Sequence, residues 1–405
     1  MLQKDYPLLS KKINNKNLIY FDSSCTYLKN INTINEVNRY YTDYSCCSGD
    51  RESSYLGALL QEEIDNTRAQ CSKFIGAQKN DFIVFTSGTT DSINRLIFSI
   101  DESKIKNIIT SDLEHNSNYL PQFEYSKIKN INFVCFKYKD ILNLDILETK
   151  LEKITGGFLL CFTHCSNIIG SNFDLQGISE LVHKYGGYIL VDDAQFISHN
   201  RENVVLNNID FLAFSAHKIG GPTGIGVLYI KYGSENIIKY SSKIGGGTII
   251  NINNEKVEYK KLPYFLEGGV QNFGGILGLK GCINYYNEIS YEKINTHINI
   301  LVKYFWNKFY ENNLDNYFEI LSLDNSLIIT LKPKNFNVID FHGYCNYFLD
   351  EYIISFRTGT MCADNYVNNY LNGDKNIMRL SFGVYNTTEE IDVLIISILK
   401  YIRDI

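Results

Sequence analysis

The chain has 405 residues, with 44% hydrophobic and 21% charged side chains, and its 39 Lys+Arg against 45 Asp+Glu give a formal net charge of −6. At roughly 150 residues per domain this length predicts two to three domains, and the apolar share is that of a chain that builds a core rather than a disordered one. The acidic balance and the lack of a long basic run exclude a phosphate-tracking surface, and no apolar stretch approaches the roughly 18 residues of a membrane span, so neither nucleic acid nor membrane is an expected partner.

The predicted elements begin with a start, Met1-Leu2-Gln3-Lys4-Asp5-Tyr6-Pro7, that has no apolar signal core and points to a cytoplasmic chain. Apolar strand-like runs follow at Leu18–Phe21, Phe82–Phe85, Ile108–Thr110, Ile131–Phe136, Phe158–Thr163, Tyr188–Val191, Phe211–Phe214 and Gly226–Ile230. Several are apolar at successive positions, which suits strands buried on both faces. Helical patterns lie between them, among them Ser54–Phe74, Asp91–Ile100 and Leu175–Tyr185. This alternation predicts an α/β fold with a mostly parallel sheet covered by helices. Past about Asn284 the character changes to one long helical pattern (Asn284–Asn313), apolar runs at Leu327–Leu331 and Ile353–Phe356, and a closing helix Thr388–Tyr401. The expected division is a large unit over 16–285 and a smaller α+β unit over 286–405, with residues 1–15 packing on the second.

Ten cysteines in such a chain read as reduced thiols. Cys161-x-x-x-Cys165 brackets His164, but no second pair stands at zinc-ribbon distance, and no metal is expected.

Ligands of a parallel α/β sheet sit beyond the carboxyl ends of its strands. Reactive residue types recur there: Thr86-Ser87-Gly88-Thr89-Thr90, Glu114-His115, His164-Cys165-Ser166-Asn167 and Asp192-Asp193-Ala194-Gln195. A Gly turn followed by a helix start suits a phosphate, and also suits an ordinary capped helix. The strongest element is Ser215-Ala216-His217-Lys218 ahead of a Gly-rich loop. A lysine placed directly after a buried strand, beside other polar groups, is placed for Schiff-base chemistry. Such a lysine, an upstream Asp and a phosphate cup together describe pyridoxal 5'-phosphate (PLP) chemistry.

These stretches, together with Asn272-Phe273-Gly274-Gly275, Arg357-Thr358-Gly359-Thr360-Met361-Cys362-Ala363 and Arg379-Leu380-Ser381, resemble the class V aminotransferase family of fold-type I PLP enzymes. Within it the chain is similar to the group II, SufS-like cysteine desulfurases and selenocysteine lyases, from about Tyr20 to the C-terminus. The resemblance implies that Lys218 holds PLP as a Schiff base, Asp192 pairs with the pyridine nitrogen, and Gln195 and Asn167 contact the ring hydroxyl. It further implies that His115 stacks on the ring and assists proton movements, and that Thr89, Ser215 and His217 bind the phosphate. Arg379, with Asn167, would hold the substrate carboxylate, and Cys362 would be the nucleophile that takes the sulfur of L-cysteine and passes it to an acceptor protein or thiol. A homodimer is the implied assembly.

Departures from the family pattern leave a second reading open, another class V reaction such as a selenocysteine or other C–S lyase, an epimerase or a transaminase. Asp50-Arg51-Glu52 stands where His-Arg-Gly is usual, Ser54 replaces a further His, Val270 replaces a Thr that reaches the partner's phosphate, and Thr360-Met361 replaces a frequent His-His. Ser24-Cys25-Thr26 replaces the usual Ala-Ala after the first strand.

Overall fold

The computed structural model describes residues 2–48, 54–170, 173–254, 256–324 and 326–405; the departure at Asp50-Arg51-Glu52 lies outside the described residues. Among those described, seven strands form the central sheet: β1 Phe82–Thr86, β2 Asn107–Ser111, β3 Asn132–Phe136, β4 Phe158–Thr163, β5 Tyr188–Asp192, β6 Phe211–Ser215 and β7 Gly226–Ile230. Their order is β1-β7-β6-β5-β4-β2-β3. Strands β2 to β6 are parallel, and β7 is antiparallel to both of its neighbours, so β1 runs with the parallel set.

Continuous apolar runs make these strands because each face is covered. Alternate side chains go to opposite layers: Leu160, Phe162 and Val191 into one core, Leu159, Cys161 and Leu190 into the other. The polar residue that closes each run (Thr86, Ser111, Thr163, Asp192, Ser215) therefore arrives at one common edge.

A smaller antiparallel sheet follows, with strands β8 Phe318–Ile320, β9 Ile328–Pro333, β10 Arg357–Thr358 and β11 Met378–Ser381 in the order β8-β9-β11-β10. The chain reaches it through two helices, α1 Phe273–Ile289 and α2 Tyr291–Glu311, where the pattern Asn284–Asn313 predicts one. The break is at Ser290, whose φ of +71° ends the first helix while its Oγ accepts the Lys293 amide of the second. Apolar periodicity runs through such a break unchanged, because it reports the buried face and not the backbone.

The N-terminal segment ties the two sheets' surroundings together. Asn17–Tyr20 pairs in parallel with Tyr352–Ser355. Tyr6 is buried against Tyr27, Tyr285 and Tyr385, and Gln3 Nε2 donates to Glu390 Oε1 at 2.9 Å. Among the described residues no helix is long and apolar enough to cross a membrane.

Candidate active site

The edge formed by the carboxyl ends of β1, β2, β4, β5 and β6 opens into a cavity of about 250 Å³. Thr89, His115, Asn167, Asp192, Gln195, Ser215, His217 and Lys218 all line it. These residues are spread over more than a hundred positions, from Thr89 to Lys218, and the parallel topology brings them to one place.

The cup at the end of β1 is built by close backbone approach. A Cβ on Gly226 would lie 2.5 Å from the Gly88 Cα, so only glycine lets β7 pass under the turn. There the Thr89 amide donates to Ser215 Oγ at 2.7 Å, and the two hydroxyls lie 2.8 Å apart, at the N-terminus of the helix Thr89–Ile97. Free amides and hydroxyls at a helix start form an anion cup.

Lys218 donates through Nζ to the Ser24 carbonyl. Burial, then the charge of Arg379, lowers its amine to about 8, against the opposing pull of Cys25, Asp192 and Asp22. Burial raises the Asp192 carboxyl to about 6, although the Ala194 amide donates to its Oδ1 at 3.1 Å and Lys218 stands nearby. Burial, with the charges of Lys218 and Arg379, lowers the His115 imidazole to about 4. That ring is neutral at pH 7, and because its Nδ1 accepts the Ser117 amide at 3.1 Å, the proton is assigned to Nε2. Burial and Lys218 lower His217 similarly, to about 3. Gln195 gives its Nε2 to the Ser24 carbonyl at 2.8 Å and leaves a buried Oε1 without a partner.

Arg379 and Cys362 come from the C-terminal sheet and its loops and meet the cavity through Asn167. The Asn167 carbonyl accepts Arg379 Nη1 at 3.0 Å, and Asn167 Nδ2 donates to the Met361 carbonyl at 2.8 Å. Cys362 is exposed, and its carbonyl accepts the Asn116 amide at 2.7 Å. Met361 and Cys362 both take left-handed φ values, +53° and +58°, a costly conformation for residues with a Cβ. Asp22, Arg357 and Glu114, none with an assigned role in the sequence, complete the site. Asp22, buried just after the strand Asn17–Tyr20, bonds Arg379 Nη2 at 3.2 Å and Arg357 Nη2 at 2.7 Å. Glu114, fully buried and held by Ser111 and Asn118, is raised by its burial to about 8. A carboxylate directly after a strand is the signal that marks Asp22.

Residues 19–394 match the family described as Aminotransferase class-V. The chain belongs to that family. A probable cysteine desulfurase of Borreliella burgdorferi is 35% identical over all of this chain and 96% of its own length, and a cysteine desulfurase of Shigella sonnei is 31% identical over 99% and 98%. The apo structure of a cysteine desulfurase from Thermococcus onnurineus superposes with a TM-score of 0.88 at 26% identity, covering 100% of this chain and 98% of the other. Class V aminotransferases are PLP-dependent, and the donor set here fits that cofactor: an amine, a buried carboxylate, a hydroxyl-and-amide cup and the unpartnered Gln195 acceptor.

Behind Asp192 lies a buried triad that the sequence did not single out as a unit. His164 Nδ1 is 2.8 Å from Glu202 Oε2 and 3.1 Å from Asp193 Oδ1, and its ring stacks on Phe196. Burial opposes a charge on His164, but the two carboxyls outweigh it and raise the imidazole from 6.5 to about 9. Because the folded value is the higher one, the contribution of this proton to stability is complete below pH 6.5 and is lost as pH rises through 9. Urea midpoints measured from pH 6 to pH 10 should therefore fall more steeply in the wild type than in His164→Gln; parallel slopes would contradict a charged His164.

Proposed function

We propose that this chain is a PLP-dependent cysteine desulfurase, which converts L-cysteine to L-alanine and carries the sulfur as a persulfide on Cys362. The observation that carries the reading is the placement of an exposed thiol, Cys362, on a loop hydrogen-bonded to Asn167 at the rim of the cavity that holds Lys218 and Asp192.

Lys218 is the residue to hold PLP, Asp192 to face its ring nitrogen, Gln195 Oε1 to accept the ring hydroxyl, and His115 to cover the ring. Thr89, Ser215 and His217 are the phosphate ligands. When bound, PLP supplies an electron sink for charge that develops at the substrate Cα. Arg379, fixed by Asp22 and the Asn167 carbonyl, presents its remaining donors to the substrate carboxylate, and Asn167 shares that contact. Lys218 Nζ takes the Cα proton. Cys362 Sγ attacks the substrate sulfur, so that an S–S bond forms as the carbon–sulfur bond breaks and its electron pair passes to carbon. Protonation of that carbon, and return of the proton from Lys218 Nζ to Cα, gives alanine. The neutral His115 presents its Nε2–H as a hydrogen-bond donor without adding a charge beside Lys218. An acceptor thiolate, on a protein or a small thiol, then attacks the outer sulfur of the persulfide; the S–S bond breaks and Cys362 is released as a thiolate.

The working assembly in this reading is a cytoplasmic homodimer built of a large unit, 16–285, and a smaller one, 286–405. The test is product analysis with L-cysteine. Equal yields of alanine and reducible sulfur support the reading; pyruvate and ammonia would instead indicate a C–S lyase, and D-cysteine an epimerase.

A further inference from the structure

Cys25 is a departure from the family pattern, and the structure puts it inside the site. It lines the same cavity as Lys218 and Asp192 and is half-buried, open to a small solute. Arg357 donates through Nη2 to its Sγ, and the same nitrogen bonds Asp22, which in turn bonds Arg379. The sulfur is thus part of the hydrogen-bonded cluster that fixes the carboxylate clamp. The cluster has a spare donor: Arg379, 2% exposed, leaves its buried Nε without a partner.

We propose that Cys25 is a second reactive thiol of this site, a modification point for hydrogen peroxide whose oxidation closes the carboxylate clamp. The thiolate is the attacking form of a cysteine, and Arg357 holds a guanidinium N–H on this sulfur. Sγ attacks one oxygen of the peroxide, an S–O bond forms, and the O–O bond breaks. The departing hydroxide takes a proton and becomes water. Sulfur is oxidised by two electrons to the sulfenic acid, and the peroxide is reduced. The added oxygen lies among Arg357, Arg379 and Asp22, where it competes with a substrate carboxylate for the same donors. A dithiol reverses the change, one sulfur displacing the oxygen as water and the second releasing Cys25.

Other thiols lack this setting. Burial pushes Cys71 and Cys282 up to about 12. Cys135 is exposed, but partial desolvation followed by the carboxylates Asp112 and Glu114 raises it to about 12, which makes it an internal reference.

The clamp part of this inference rests on the desulfurase reading; the labelling part does not. Full-length, PLP-loaded Cys362→Ser protein is treated with hydrogen peroxide, one portion is trapped with dimedone for peptide mass spectrometry, and another receives L-alanine, a carboxylate ligand without a thiol. The Cys25 adduct should form about tenfold faster than the Cys135 adduct. The change in cofactor absorption on adding L-alanine should fall in step with Cys25 oxidation and return after dithiothreitol. In Cys25→Ser/Cys362→Ser, or in Cys25→Ala/Cys362→Ser if the first does not fold, it should survive peroxide. Labelling of Cys25 no faster than Cys135 would overturn the proposal, as would equal loss of the response in the double variant or an intact response with Cys25 fully oxidised. An untreated protein that does not respond to L-alanine would instead count against the site reading, and the dimedone adduct would still decide the reactivity of Cys25.

Discussion

Lys218→Ala is expected to lower kcat with L-cysteine by about four orders of magnitude, because one change removes both the covalent attachment of PLP and the base for the Cα proton. Lys218 fits both tasks because burial and Arg379 lower its amine to about 8, which leaves a usable neutral fraction near pH 7. The sign follows: in the apo-protein, covalent uptake of PLP should quicken as pH rises through 8 and level off above it. Lys218→Arg should not rescue, since a guanidinium keeps its proton at every working pH. Steady-state kinetics and dialysis of the yellow colour check both points. Retention of more than about a tenth of the wild-type kcat in Lys218→Ala would remove Lys218 from the chemistry.

The second large effect falls on the other side of the cavity. Cys362→Ser should lower the formation of alanine and sulfur by about a hundredfold to a thousandfold, with PLP content and the absorption response to amino-acid binding unchanged. The reason is the division of labour between the two sheets. Asp192 and Lys218 come from the strand ends of the central sheet, whereas Cys362 sits on a loop held to Asn116 and Asn167 by hydrogen bonds through the backbone. A serine keeps those carbonyl contacts and loses only the soft nucleophile. Turnover near the wild-type rate would mean that carbon–sulfur cleavage does not pass through this thiol.

How far these residues can be read from the sequence depends on whether the signal is local. Thr163, Asp192 and Ser215 end buried apolar runs, so their arrival at one sheet edge follows from the parallel order alone. Lys218 is legible for the same reason, placed after β6 and before a glycine-rich turn. The family resemblance supplies Cys362 and Arg379, which no periodicity would separate from the chain's other cysteines and arginines. What stays hidden is pairing across long separations. Asp22 bridges Arg357 and Arg379 over more than three hundred residues, and His164 meets Glu202 only because the segment after β5 folds back beneath Asp192. The break at Ser290 is hidden for a different reason: a single left-handed residue interrupts the backbone without disturbing the apolar stripe.

The placement of a sulfur-accepting thiol at the rim of a PLP cavity is tested most directly by mass spectrometry of the Cys362 peptide. The PLP-loaded protein is given L-cysteine without an acceptor, quenched by alkylation and digested. The expected product is a Cys362 peptide that has gained one sulfur atom, removable by dithiothreitol, formed together with an equal amount of alanine in the first turnover. Alanine formed in that turnover with Cys362 unmodified, or the extra sulfur found on another cysteine instead, would contradict this role of Cys362.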